Sequence, residues 1–242
     1  MVKGHPPEVL KCCFMKCISF DIWNTLLDLG KLYRLVAVEL SNITGKSEQD
    51  LELGLAEAYK KALQLRLEGS FKNPIIDSAG IFASALGISI DSLFRALVRA
   101  IMREEIGKIA FEDAREALEQ LSKHDIDVGA LGNVMFWPGM VTRYILEKNG
   151  LLSYLHATIF TDELGVQKPD RAAFELISDK LGCSTSQLVH VGDSLENDFA
   201  GALLSGASAI LVKRDLEKSI AISKKAYIVN SLTEIPKILP LL

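Results

Sequence analysis

Four short segments, each near the end of a hydrophobic run, carry the polar residues of this chain that matter most. Asp21 follows Cys17 to Phe20, Gly132 and Asn133 follow Ile126 to Leu131, Lys168 stands in Gln167-Lys168-Pro169, and Asp193 and Asp198 follow Leu188 to Val191. In open α/β sheets the reactive groups gather at the carboxyl ends of the strands, so these segments predict convergence on one crevice. The intervening pattern agrees. Helices over Phe111 to Ser122, Pro138 to Lys148, Arg171 to Leu181, Leu195 to Leu204 and Leu232 to Leu239 alternate with strands over Ala157 to Phe160, Ser208 to Val212 and Tyr227 to Val229. That rhythm predicts a parallel, doubly wound, Rossmann-like sheet.

One stretch breaks the rhythm. From about Lys31 to Ile109 nothing reads as strand: a helix begins at Leu32, a second is capped by Ser47 with Asp50 and runs to Leu67, and Ser78 to Leu86 and Asp91 to Ile106 give two more. An all-helical insertion placed directly after the first strand predicts a small cap over the crevice. The expected organisation is a core of residues 14–30 and 110–242, a helical cap at 31–109, and a tail at 1–13. The tail is polar and aperiodic, contains Pro6-Pro7, and leaves Met15 as an alternative start.

A length of 242 residues suits one core plus one small cap. A net charge of -4, with no run of lysine or arginine, gives no reason to expect a nucleic-acid partner. The longest apolar stretches fall far short of the ~20 residues that span a bilayer, and no secretory signal is evident, so a cytoplasmic protein with no membrane partner is expected. Cys12, Cys13, Cys17 and Cys183 fit neither a metal knuckle nor a disulfide framework and read as reduced thiols, Cys17 buried on the first strand. His5, His124, His156 and His190 lack paired spacing and read as surface or core residues. Oligomeric state is not legible.

The segments Phe20-Asp21-Ile22-Trp23-Asn24-Thr25-Leu26-Leu27, Leu131-Gly132-Asn133, Gln167-Lys168-Pro169 and Gly192-Asp193-Ser194-Leu195-Glu196-Asn197-Asp198 together resemble the haloacid dehalogenase-like hydrolase superfamily. The resemblance implies that Asp21 is a nucleophile forming an aspartyl intermediate that water later cleaves. It implies that Lys168 balances the nucleophile's charge and contacts phosphate together with Thr25, Gly132 and Asn133. It also implies that Asp21, Asp193, Asp198 and the Trp23 carbonyl hold Mg²⁺, a hard ion suited to an all-oxygen set. The substrate would then be a small phosphorylated metabolite.

Three residues depart from the phosphatase pattern. Trp23 stands where these phosphatases usually carry an aspartate general acid/base, and indole cannot exchange a proton near neutral pH. Asn24 replaces a usual glycine, and Gly132 a usual Ser or Thr. Haloacid dehalogenases proper are also non-acidic at the Trp23 position, because halide leaves without a proton. A metal-free 2-haloacid dehalogenase, with a cap arginine such as Arg34 or Arg66 holding the carboxylate, is therefore one alternative. A catalytically weak homologue that binds a phospho-ligand or a protein is another. Glu163 and Glu68 are the candidates for a displaced acid.

Overall fold

The computed structural model describes residues 17–241. The tail, Met15, Cys12, Cys13 and His5 lie outside the described residues. Strand β1 (Cys17–Phe20) lies in the interior of a seven-stranded sheet ordered β3-β2-β1-β4-β5-β7-β6. Its neighbours are β2 (Asp127–Gly132) and β4 (Leu188–Gly192), both parallel to it. Strand β3 (Ala157–Phe160) extends one side, and β5 (Ser208–Val212) and β7 (Ala226–Val229) extend the other, all parallel. Central strands such as Leu188–Gly192 and Ser208–Val212 are buried along their whole length, which is why they read as unbroken apolar runs without alternation. The α/β, doubly wound reading holds, with one addition. Strand β6 (Ile220–Ser223) runs antiparallel at the edge with every residue exposed, and it lacks the burial that would have made it legible.

Between β1 and β2 come α1 (Leu29–Thr44), α2 (Glu48–Leu67), α3 (Pro74–Leu86) and α4 (Ile90–Ile101), followed by a 3₁₀ turn at Glu104–Lys108. The first packs on α2 and α4, and α2 packs on α3. Their starts are written in the sequence: Asp28, Ser47, Asn73 and Ser89 each accept a backbone N–H of the first turn. Gly45 and Gly87 close α1 and α3 in the left-handed conformation. The third helix starts earlier than expected, at Pro74, because Asn73 caps it and proline suits the first helical position. The fourth ends earlier, at Ile101.

The core helices are α5 (Glu112–Leu121), α6 (Gly139–Lys148), the short α7 (Thr161–Leu164), α8 (Arg171–Lys180), α9 (Gly201–Ser205) and α10 (Ile235–Ile238). Residues 195–200 form a wide π turn leading into α9, where a plain helix was expected. One expectation fails outright. Cys17 and Cys183 are joined as a disulfide, with Cα atoms 6.4 Å apart and a sequence separation of 166, so they are not separate thiols. Linear spacing carries no trace of a pair brought together only by the sheet. Among the described residues, no single helix is long and apolar enough to cross a membrane.

Candidate active site

The crevice opens where the chain leaves β1 in one direction and β4 in the other, the switch point of a doubly wound sheet. Asp21 follows the last residue of β1, and its backbone N–H donates to the Val191 carbonyl on β4 at 2.7 Å. The chain then folds into a tight turn. Asn24 takes the left-handed conformation, φ 63°, which explains a residue that stands in place of glycine: Asn is among the few side chains that tolerate it. Arg214 fastens this turn from outside, donating to the carbonyls of Asn24 at 3.0 Å and Thr25 at 2.8 Å while paired with Asp113 at 2.9 Å.

Lys168 is 1% exposed and reaches two carboxylates at once, Asp21 Oδ1 and Asp198 Oδ1, each at 2.6 Å. Asn133 holds the lysine's backbone: its Oδ1 accepts Lys168 N–H and its Nδ2 donates to Lys168 C=O, both at 2.9 Å. The Asn133 amide is thus committed to positioning Lys168. A side chain at Gly132 would be crowded, since a Cβ there would stand 3.0 Å from Ile22 Cδ1 and 3.1 Å from Phe160. Gly192 is more tightly constrained, because a Cβ would overlap the Asp198 carboxylate.

Asp198 is saturated with donors. Besides Lys168, it accepts from the Ser194 N–H at 3.0 Å and faces His190 Nε2 at 3.2 Å. With Nε2–H directed at the carboxylate, His190 Nδ1 is the acceptor for the Ser19 hydroxyl at 2.7 Å. Sequence reasoning passed over His190, because a histidine inside an apolar strand reads as core. Burial holds the imidazole below its ordinary pKa and so neutral. Burial alone would raise the Asp198 carboxyl, but Lys168 and His190 outweigh it and hold that group well below the usual carboxylate range.

The other two acids behave in the opposite way. Burial pushes Asp21 up to about 7 against the opposing pull of Lys168, with Asp198 and Asp193 adding to the rise. Burial and Asp198 raise Asp193 to about 6. Ligand oxygens of Asp21, Asp193 and Asp198 all lie within 4.8 Å of one another. Three carboxylates facing one ammonium leave net negative charge in a buried space, and hard oxygen donors at this spacing fit a divalent cation such as Mg²⁺.

These residues line a cavity of about 40 Å³, with Trp23, Leu29, Asn133, Met135, Trp137, Ser194 and Asn197 on its walls. Tyr59, Leu63 and Arg66, one stripe of α2, form its roof. Of the residues expected here, Asp21, Trp23, Asn133, Lys168, Asp193 and Asp198 are on the wall, whereas Thr25 and Gly132 are not. Thr25 is fully buried with its hydroxyl unpartnered. Neither suggested acid reaches the cavity: Glu163 pairs with Arg143, at 2.8 Å to Nη2, and Glu68 accepts from Gln64 on the outside of α2. Arg34 is exposed and pairs with Glu52.

The chain is similar over 222 residues, 85% of its length and 88% of the relative's, to a glyceraldehyde 3-phosphate phosphatase of Methanothermobacter thermautotrophicus, at 25% identity. It is 25% identical over 202 residues, 81% of its length and 83% of the relative's, to a pyrimidine 5'-nucleotidase of Streptococcus pneumoniae. In fold it resembles the L-2-haloacid dehalogenase of Xanthobacter autotrophicus with a TM-score of 0.70, at 17% identity, covering 93% of this chain and 98% of that one. The haloacid dehalogenase-like hydrolase family model matches residues 15–206. With a strand-end aspartate, a buried lysine and a paired acid motif converging at the switch point, this chain belongs to the haloacid dehalogenase-like hydrolases.

Proposed function

We propose that this hydrolase is a divalent-metal-dependent phosphatase acting on a small phosphorylated metabolite, with α1–α4 serving as a cap over the site. The observation that carries the reading is the cluster of Asp21, Asp193 and Asp198 around Lys168, since a phosphate dianion enters such a space only beside a cation. The phosphatase names of relatives matched over most of their length support it.

Asp21 supplies the nucleophilic oxygen. As its Oδ–P bond forms, the ester P–O bond breaks and the leaving oxygen departs with its electron pair, taking a proton from solvent because Trp23 has none to give. Water then cleaves the aspartyl phosphate. Lys168 keeps Asp21 aimed and offsets its charge. Asp21, Asp193 and Asp198 would hold Mg²⁺, which when bound supplies positive charge against the phosphoryl oxygens. Two features favour a metal-free dehalogenase: Trp23, and Arg66 on the cavity roof, where it could hold a carboxylate. Against that reading, Asp193 adds a third carboxylate that a metal-free site would have to accommodate at an energetic cost.

The test is hydrolysis of p-nitrophenyl phosphate by the purified protein. Activity should vanish in EDTA, return with Mg²⁺, and be lost by at least about 10³-fold in Asp21→Asn, whose carboxamide is no nucleophile. Chloride release from 2-chloropropionate in EDTA, without phosphate release from any ester, would replace this reading with the dehalogenase.

A further inference from the structure

Arg66 is the most unusual charged residue in the molecule. It projects from α2 into the roof of the cavity, is 1% exposed, and forms no ion pair among the described residues. One nitrogen, Nη2, donates to the Val134 carbonyl, while Nε and Nη1 are buried with no partner. An unpaired guanidinium is normally kept out of a protein interior, because its lost hydration is not replaced. The guanidinium grips an oxyanion in a bidentate way through Nη2 together with Nε or Nη1, and both of those neighbours carry open N–H groups.

The floor of the same cavity accounts for its own charges. Lys168 is matched by Asp21 and Asp198, and the phosphoryl group and a divalent cation would complete that end. The roof is positive and unmatched. No carboxylate pairs with Arg66 among the described residues; its guanidinium lies 5.6 Å from the centroid of the Phe71 ring and shares a stripe of α2 with Tyr59. Tyr59 also lines the cavity.

Resting on the phosphatase reading above, we propose that Arg66, assisted by Tyr59, is the specificity-determining residue, and that the substrate is a phosphate monoester whose far end carries a second oxyanion, a carboxylate or another phosphate. The phosphoryl end sits on the Asp21–Lys168 floor, and the far anion closes the open fork of Arg66. At about 40 Å³ the cavity holds only about three waters, too little room for such an ester, so the cap lifts to admit it and settles when the anion reaches the fork.

The experiment compares three esters of similar length: 3-phosphoglycerate with a carboxylate at the far end, 1,3-propanediol bisphosphate with a second phosphate, and glycerol 3-phosphate with a neutral hydroxyl. Native enzyme should prefer at least one anionic ester over glycerol 3-phosphate by about tenfold or more in kcat/KM. The better anionic ester tells carboxylate from phosphate. Arg66→Met should bring that ratio close to one, and Arg66→Lys, which keeps charge without the fork, should leave it in between. No preference in the native enzyme, or a preference that survives Arg66→Met, overturns the inference. Should Arg66→Met fail to fold, the native ratio and Arg66→Lys decide. Hydrolysis of p-nitrophenyl phosphate by native enzyme, read alongside, separates failure of this inference from failure of the phosphatase reading.

Discussion

Trp23 occupies the place where a proton would be expected to come from, and its surroundings make it a wall. The ring is 8% exposed and meets Trp137 edge-on, with centroids 5.3 Å apart. No carboxylic acid beyond the three of the cluster lines the cavity. A missing general acid costs about 10²–10⁴ in rate when the leaving group is a poor one and much less when it is stable as an anion. Aryl and acyl phosphates should therefore be cleaved far faster than alkyl phosphates of similar size. Trp23→Asp should narrow that gap by raising the slow substrates most. Losing the buried indole will also destabilise the variant by about 3–5 kcal/mol, so the ratio of kcat/KM values at 20 °C is the measurement to use. Equal native rates on aryl and alkyl esters would mean that another group, Tyr59 first among them, donates the proton.

At the scale of elements, the chain returning from α4 to the core has to be held where it passes the turn that carries Asp21. Leu27 bridges Ala110, the Asp28 N–H donates to the Ile109 carbonyl, and the Phe111 N–H donates to the Leu26 carbonyl. Asn149, just after α6, braces this crossing with four bonds: its Oδ1 accepts from Ile109 and Ala110, and its Nδ2 donates to Ile106 and Ile145. Asn149→Ala strips partners from buried backbone groups and should cost about 3–5 kcal/mol in urea unfolding. Asn149→Asp keeps the two acceptor bonds but sets an acceptor oxygen against the Ile106 and Ile145 carbonyls in a buried place, and should cost at least as much. A change within 1 kcal/mol for Asn149→Ala would show that the crossing is held by packing alone. Nothing in the sequence marked Asn149, because three of its four side-chain partners lie 39 to 43 residues away. What was legible has local causes. Strand-end acids, the cap at Ser47, and the break in the strand–helix rhythm each declare themselves within a few residues. Tyr59 stayed hidden because it matters only through where α2 sits over the sheet. Thr25 and Gly132 match the family in spacing, yet neither lines the cavity, because Thr25 is packed inward and Gly132 has only its backbone to offer.

Across the whole molecule, the site costs stability in the metal-free protein, and the cost depends on pH. Asp21, at about 7, and Asp193, at about 6, both titrate above the ordinary carboxylate value of 3.8. A raised carboxyl contributes stability that is full below its unfolded value and is lost as pH rises through its folded one. Asp198 acts in the opposite sense, its contribution being present above the ordinary value and lost in stronger acid. In EDTA the melting temperature should therefore be highest in the mildly acidic range and fall as pH rises from about 5 to about 8. A divalent cation binds the ionised carboxylates and competes with their protons, so it stabilises the fold most where they are already charged. Adding 10 mM MgCl₂ should thus raise the melting temperature more at pH 8 than at pH 5, flattening the slope seen in EDTA. Asp193→Asn should weaken the Mg²⁺ gain at pH 8 and shrink the decline in EDTA, since it removes one of the two raised groups. A Mg²⁺ gain of equal size at both pH values would mean that the ion binds away from this cluster, and no gain at either would leave the three acids without the cation their arrangement calls for.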